Sequence, residues 1–336
     1  MPALAVAERL RAEGAEVEFV GGDRAEAELV PAAGFPLHRI SVAGLSRSSP
    51  WAAARALGLA AVALPRARRL LRELSADAVM GAGGYVAAPV GAAAVTLRVP
   101  LVLTEADSHL GLSNRMLAPF ARRLCLAFPL PGREGARYLV TGRPISFQRR
   151  DRRAARERLG IAAGETCVLV FGGSLGARSI NLAAIDAFAG ADFHVLHVSG
   201  SRDFPELAAR ERPAGYDLRE YLDQEAFAEA LVACDLVVAR AGGSVFEIAA
   251  YARPSILVPY PHAAADHQSA NARWMAQAGA AVVIADSELS AGLLSREVDE
   301  LLADPARLRQ MGAAAASLAR PDAAGEVARE LLEAAG

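Results

Sequence analysis

Short apolar runs recur along this chain, and each is followed by a stretch long enough to form a helix. That alternation restricts the fold more than any other feature, because strands separated by helices pair in parallel through right-handed crossovers. Residues 3–12 read as a helix with Leu4, Ala7 and Leu10 on one stripe. Strands are expected at 16–20, ending in Gly21-Gly22, and at 37–42, 78–82, 101–105, 124–127 and 138–141. Gly142-Arg143-Pro144 breaks the pattern, and the Arg- and Asp-rich segment 149–158 reads as a solvated link or first helix. A second strand series follows at 167–171, 193–198, 236–239, 256–258 and 281–284, with helices filling 290–336.

The expected class is therefore α/β, with two Rossmann-like doubly wound domains facing a cleft. The boundaries expected are 1–145 and 146–320, with a closing helix at 321–336 packing back near the first domain. A chain of 336 residues is long enough for two ordinary cores. The first series opens on a helix, so it lacks the strand and Gly-rich loop with which a doubly wound domain usually begins. That opening strand is usually central, and an upstream segment is expected.

Composition narrows the chemistry. A net charge of −2 argues against a dedicated nucleic-acid binder. All 36 basic residues are arginine, which excludes a Walker-type phosphate loop, a Schiff-base lysine and a lysine general base. Cys125, Cys167 and Cys234 each sit in an apolar, strand-like run and read as buried small hydrophobes in a reducing compartment. Neither a metal-binding spacing among the histidines nor an Asp-x-Asp pair is present, so no metal and no cofactor are expected. His262 and His267 read as polar pocket walls or surface residues. No signal peptide and no bilayer-length apolar run is visible.

The richest segment lies in the second half. Strand 236–239 runs into Gly242-Gly243-Ser244, and a helix opens there with Glu247 on its first turn. Bare amides at a helix start suit a diphosphate, and a carboxylate one turn on can reach a ribose diol. Asp266, His267, Gln268 and Asn271 place polar side chains at the mouth of a later helix. Together these read as a pocket for a nucleotide joined to a hydroxylated group.

Two further loops share the strand-to-helix layout. One is Gly172-Gly173-Ser174-Leu175-Gly176-Ala177-Arg178-Ser179-Ile180-Asn181, and the other is Gly81-Ala82-Gly83-Gly84-Tyr85. Each fits a phosphate or sugar contact, and each also fits a plain tight turn. Thr104-Glu105-Ala106-Asp107 ends a strand, where Glu105 or Asp107 fits an acceptor hydroxyl or a cap on the helix at Leu112. Segment 51–74 carries an uncharged stretch and then Arg66, Arg68, Arg69 and Arg72, which suits either an anionic membrane surface or a core helix with a basic edge.

These motifs in this order resemble the MurG family, the peripheral-membrane glycosyltransferases of GT-B fold that make lipid II in peptidoglycan synthesis. The resemblance covers essentially the whole chain. It implies inverting, metal-independent transfer of N-acetylglucosamine (GlcNAc) from UDP-GlcNAc to undecaprenyl-diphosphoryl-MurNAc-pentapeptide. It also implies a protein held peripherally on the cytoplasmic face of the cell membrane, involved in cell shape and division.

Carried over by position, Ser174 contacts the donor and Leu222, after Tyr221, holds uracil through its backbone. Gly242, Gly243 and Ser244 face the diphosphate, Glu247 the ribose, and Gln268 the GlcNAc hydroxyls. Gly81, Gly83, Gly84 and Tyr85 serve the acceptor diphosphate. Segment 57–72 resembles the docking patch.

The sequence departs from the family pattern in places. The family's opening Gly-Gly-Thr-Gly-Gly-His loop is absent, its His-Glu-Gln-Asn appears as Thr104-Glu105-Ala106-Asp107, and its Gly-Asn-Pro-Val-Arg appears as Gly142-Arg143-Pro144-Ile145-Ser146. The loop before Glu247 is one residue shorter. Asp107 thus stands at a donor-contacting position and is the only candidate base, and the catalytic residue is otherwise unassigned. The rival readings are a UDP-GlcNAc 2-epimerase of the same architecture and an inactive nucleotide-sugar-binding protein.

Overall fold

The computed structural model describes residues 2–23, 25–40, 50–173, 175–263 and 266–336, the side chains of residues 50–61 excepted. The chain divides into two compact units, one made of Met1–Ser146 with Arg320–Gly336 and the other of Phe147–Ala319.

In the first unit the order is α1 (Pro2–Ala12), β1 (Phe19–Gly21), α2 (Glu26–Ala32), β2 (Leu37–Arg39), α3 (Pro50–Glu73), β3 (Val79–Gly81), α4 (Gly84–Leu97), β4 (Leu101–Glu105), α5 (Leu112–Leu117), β5 (Arg123–Leu126) and β6 (Tyr138–Val140). Strands β3-β4-β5-β6 form a parallel sheet in that order, and β1 pairs with β2 separately. Among the described residues no ladder joins β1 to β3. The expected strand at 16–20 starts later, because the β1–β2 ladder runs only from Phe19↔Leu37 to Gly21↔Arg39.

Side chains alternate across the β3–β6 sheet, as strand geometry requires. Leu101, Leu103, Leu124 and Leu126 face one way and pack with Ala63, Ala67 and Leu71 of α3 and with Val90, Ala93 and Ala94 of α4. Val102 and Cys125 face the other way, against Ala5 and Val6 of α1 and Val327, Ala328 and Leu331 of the closing helix Ala323–Ala335. Both faces are thus covered, which is why these strands read as continuous apolar runs. Arg123 Nε donates to Glu330 Oε2 at 2.9 Å and adds a polar tie to the closing helix.

The second unit runs α6 (Arg152–Arg158), β7 (Cys167–Phe171), α7 (Arg178–Ala187), β8 (His194–Val198), α8 (Phe204–Ala208), β9 (Tyr216–Arg219), α9 (Gln224–Ala233), β10 (Leu236–Ala239), α10 (Val245–Ala250), β11 (Ser255–Leu257), α11 (His267–Gln277), β12 (Ala281–Val283), α12 (Ala291–Leu302) and α13 (Pro305–Leu318). Its sheet is parallel, in the order β12-β11-β10-β7-β8-β9. That is the doubly wound order, and strand order reverses between β7 and β10.

Two sequence readings need correction, and a third resolves to one of its alternatives. Strand β9 was not expected, because Asp217 and Arg219 interrupt its apolar pattern; they pair at 2.7 Å on a strand at the sheet edge. Cys234 is not in a strand but caps the C-terminus of α9. Segment 149–158, read as a solvated link or first helix, is the first helix of the second unit from Arg152 onward. Arg156 is buried there and donates to Ala233 O at 2.8 Å, while Arg152 donates to Cys234 O at 3.0 Å and to Asp235 Oδ1 at 2.6 Å. The guanidinium fork suits this work, since it serves several carbonyls at a helix end at once.

Candidate functional site

Register places every carboxyl end of the second sheet along one edge. Phe171 is opposite Val198 and Ala239, Val198 is opposite Arg219, and Ala239 is opposite Leu257. Ligands of open α/β sheets bind on that edge, at the crevice where strand order reverses. The loops at that crevice are 172–177, after β7, and 240–244, after β10.

The second loop is held by side chains as well as by its own turns, in which Val245 N donates to Gly242 O and Phe246 N to Gly243 O, each at 3.3 Å. Asn271, buried on α11, donates from Nδ2 to Ala241 O at 2.9 Å and to Gly242 O at 3.4 Å. Gln268 takes the Tyr260 N–H on Oε1 at 2.9 Å, and its Nε2 lies 4.0 Å from where a Cβ on Gly242 would stand. No side chain caps α10, and the N–H groups of Gly242, Gly243 and Ser244 have no protein acceptor among the described residues. Glu247 lies half-buried on the first turn of α10. Leu222 is buried just beyond β9, beside an exposed Tyr221. Gly242, Gly243, Ser244, Glu247, Leu222 and Gln268 thus all follow strand ends on one edge, whereas Ser174 lies outside the described residues.

The Gly172 loop is built by close backbone approach. A Cβ on Gly172 would stand 2.3 Å from Ala177 N, and one on Gly176 would stand 2.0 Å from Ser199 O. Gly173, with φ of +97°, has nothing within 4 Å of such an atom. Two of these glycines are therefore required by packing, and Gly173 alone borders open space. Helix α7 then begins at Arg178, and its N-cap Ala177 supplies no side-chain cap.

In the first unit, Gly81 ends β3 against Leu103, while Gly83 and Gly84 have φ of +79° and +76° and open space where a side chain would be. Helix α4 starts there uncapped, with Tyr85 exposed. At the end of β4 the two carboxylates separate in role. Glu105 is buried and accepts from Gly111 N at 2.8 Å, Asn114 Nδ2 at 3.0 Å and Asp107 N at 3.2 Å, so it tethers the start of α5. The Asp107 carboxylate has no partner among the described residues. Asp107 belongs to a different unit from the other donor candidates.

Residues 1–125 match the glycosyltransferase family 28 N-terminal domain, and residues 167–327 match the glycosyltransferase family 28 C-terminal domain. The UDP-N-acetylglucosamine–N-acetylmuramyl-(pentapeptide) pyrophosphoryl-undecaprenol N-acetylglucosamine transferase of Rubrobacter xylanophilus is 43% identical over 98% of this chain and 98% of its own. The protein of the same name from Moorella thermoacetica is 40% identical over 99% of this chain and 95% of its own. The chain belongs to the MurG family.

Among solved structures, MurG of Acinetobacter baumannii superposes with a TM-score of 0.78 at 28% identity, covering 99% of this chain and 95% of that one. The fold is accordingly GT-B. A UDP-GlcNAc 2-epimerase from Neisseria meningitidis reaches a TM-score of 0.66 at 9% identity over 98% of this chain and 95% of that one, which is a likeness of fold alone.

Sequence reasoning missed a buried polar cluster at the crevice of this MurG-family chain. Arg240 Nη1 donates to Asp286 Oδ1 at 2.6 Å, and Ser179 Oγ donates to the same oxygen at 2.6 Å. Burial would push the Asp286 carboxyl up, but the hydrogen bonds from Ser179 and Arg240 outweigh it and hold the group below its ordinary value. A second cluster lies behind the Gly172 loop. Asn181 Nδ2 donates to Ser199 O at 2.9 Å and to Asp203 Oδ2 at 2.8 Å, and Asn181 Oδ1 meets His197 Nε2 at 3.0 Å. Burial drives His197 down to about 4, so it is neutral at physiological pH. The arginine preceding a Gly-Gly pair was the one visible signal for the first cluster.

Proposed function

We propose that this chain transfers GlcNAc from UDP-GlcNAc to the undecaprenyl-diphosphate-linked MurNAc-pentapeptide, converting lipid I to lipid II. The single observation that carries the reading is the group of unclaimed N–H donors at Gly242–Ser244, flanked by Glu247 and Gln268 at the crevice of the second sheet. Family membership at 40% identity and above over nearly the whole chain supports it.

In this reading the donor's diphosphate lies against those amides, its ribose diol against Glu247, its sugar hydroxyls against Gln268 and its uracil against the Leu222 backbone. Ser174 contacts the donor from the other loop. Gly81, Gly83, Gly84 and Tyr85 receive the acceptor's diphosphate on the first unit. The acceptor hydroxyl attacks the anomeric carbon from the face opposite UDP, the bond to the departing phosphate oxygen breaks, and UDP leaves with the electron pair. Fixed N–H dipoles stabilise the charge that grows there, at no cost in reorganisation during the reaction. Asp107 is the candidate group for the hydroxyl proton.

The acceptor's lipid implies a membrane surface. On α3, Val62 and Arg66, Arg69 and Arg72 are exposed while Ala63, Ala67 and Leu71 point into the core, so the docking face is narrower than segment 57–72 suggested. The part of that segment through residue 61 lies outside the described side chains. Elsewhere in the unit, Arg98, Arg122 and Arg137 surround a groove with the exposed Phe120. This basic and apolar surface suits peripheral attachment to the anionic cytoplasmic leaflet. Sedimentation with phosphatidylglycerol vesicles, but not phosphatidylcholine vesicles, is expected.

The activity is tested by incubating the protein with UDP-GlcNAc and a lipid I analogue. UDP and the lipid-linked disaccharide should appear together, and Glu247→Ala should reduce both. Release of UDP-N-acetylmannosamine without acceptor would instead support the epimerase, and folded protein that yields no disaccharide overturns the assignment.

A further inference from the structure

The crevice contains a guanidinium that the mechanism does not use. Arg240 follows the last residue of β10 and is only 8% exposed. Its Nη1 donates to Val258 O at 3.1 Å, Pro259 O at 3.3 Å and Asp286 Oδ1 at 2.6 Å, and its Nη2 donates to Ser179 Oγ at 2.8 Å. The guanidinium carbon also lies 5.5 Å from the centre of the Tyr260 ring. One side chain therefore ties together the start of α7, the loop after β11 and the loop after β12, while its own backbone leads into Gly242.

These are the segments that a donor would touch. Ser179 stands on the first turn of α7, directly beyond the Gly172–Gly176 loop. Tyr260, next to Pro259, donates its N–H to Gln268. The contact between Arg240 and Ser179 crosses between the β10 and β7 loops, where strand order reverses. An arginine is suited to this, because its planar fork serves several acceptors in fixed directions, as a lysine ammonium does not. Its charge is taken up by Asp286 rather than offered to a ligand.

We propose that Arg240, with Asp286 and Ser179, is a positioning device that holds the two crevice loops and the Gln268 segment in the geometry that binds the nucleotide diphosphate. The inference rests on the donor-site reading above and adds residues that contact loops rather than substrate. It separates from direct phosphate binding by charge. Were Arg240 a phosphate contact, Arg240→Lys would keep most of the affinity; as a four-acceptor clamp, it should fail nearly as badly as Arg240→Met.

The test is calorimetric titration of UDP into the full chain, with melting temperature measured in parallel. Wild type should bind, and Arg240→Met and Arg240→Lys should each weaken UDP by about tenfold or more, the scale of losing hydrogen bonds to a charged group. Asp286→Ala should weaken it comparably, and the Arg240→Met/Asp286→Ala double variant should lose little beyond either single change. Ser179→Ala removes the bridge across the crevice and the Ser179 hydrogen bond to Asp286 but leaves the Arg240–Asp286 pair in place, so it should fold like wild type and still bind UDP several-fold more weakly; this keeps the test decisive if Arg240→Met does not fold. Wild-type affinity in Arg240→Lys or in Ser179→Ala overturns the clamp and leaves the donor site standing. Failure of folded wild type to bind UDP overturns the donor site itself, and the clamp with it.

Discussion

Glu105 Oε2 accepts the Asn114 side-chain amide at 3.0 Å, and the Asn114 side chain is buried beneath the start of α5. The same carboxylate receives the Gly111 and Asp107 N–H groups. Of the two acids at the end of β4, Glu105 is therefore consumed in holding the loop, and Asp107 rides on the loop that it holds.

That division predicts opposite phenotypes. Glu105→Ala leaves one N–H of the buried Asn114 amide unpartnered, its bond to Thr104 O at 2.9 Å remaining, and frees two backbone donors, so it should cost about 2–3 kcal/mol in denaturant unfolding. Asp107→Asn should leave the melting temperature unchanged while lowering kcat by about a hundredfold or more, the usual range for a lost general base. An Asp107→Asn enzyme with wild-type kcat removes the residue from the mechanism.

The glycines of the β7 loop should likewise part company. Gly176→Ala drives a Cβ to within 2.0 Å of the Ser199 carbonyl at a φ of +78°, and the obstacle is backbone that has no rotamer to change. Its melting temperature should drop sharply, since clash and left-handed strain add. Gly173→Ala meets no atom within 4 Å and suffers only its φ of +97°. Its loss should be about 1 kcal/mol, with any larger effect confined to UDP affinity. Equal losses of stability in the two variants would contradict the packing described.

Legibility followed burial. Leu101–Glu105, Cys167–Phe171 and Leu236–Ala239 stand where the sequence pattern put them, because both faces of each are covered and, the closing Thr104-Glu105 aside, every position is apolar. Edge strand β9 escaped, since its Asp217–Arg219 pair looks like loop composition. At the site, Gly242, Gly243, Ser244 and Glu247 are contiguous and were visible as one motif. The clamp was not, because Arg240 reaches Ser179 across 61 positions and Asp286 across 46, and only the parallel crossovers bring them together. The duty of Glu105 was hidden for a similar reason: adjacent carboxylates look alike until the helix they serve is in place.

The closing helix should be a structural requirement of the first unit. Val327 is fully buried and Leu331 nearly so, packed with Val102 and Cys125 of the sheet and with Val6 of α1. Leu331→Ala should cost about 2–4 kcal/mol, as buried leucine truncations do. Cys125 lies beneath it, its thiol pushed up to about 12 chiefly by burial. In wild type it should resist a thiol reagent at neutral pH, whereas Leu331→Ala should label faster. A fast-labelling wild type would show that the helix does not cover this face.

His197 makes stability depend on pH in a defined window. Its folded value is about 4 against 6.5 for the free side chain, because the ring is buried between Tyr216 Oη at 2.7 Å and Asn181 Oδ1 at 3.0 Å. Below the free value the unfolded chain takes up a proton that the folded protein refuses, so stability falls as the pH is lowered. The decline starts near 6.5 and ends near 4. Between pH 7 and pH 5 this one group should remove about 2 kcal/mol from the second unit. Urea unfolding followed by Trp274 fluorescence in a Trp51→Phe background measures it, since Trp274 lies in that unit. His197→Gln has no proton to refuse, so its stability should be lower at pH 7 yet flatter towards pH 5. A variant as steep as the parent across that interval would place the pH dependence on other groups.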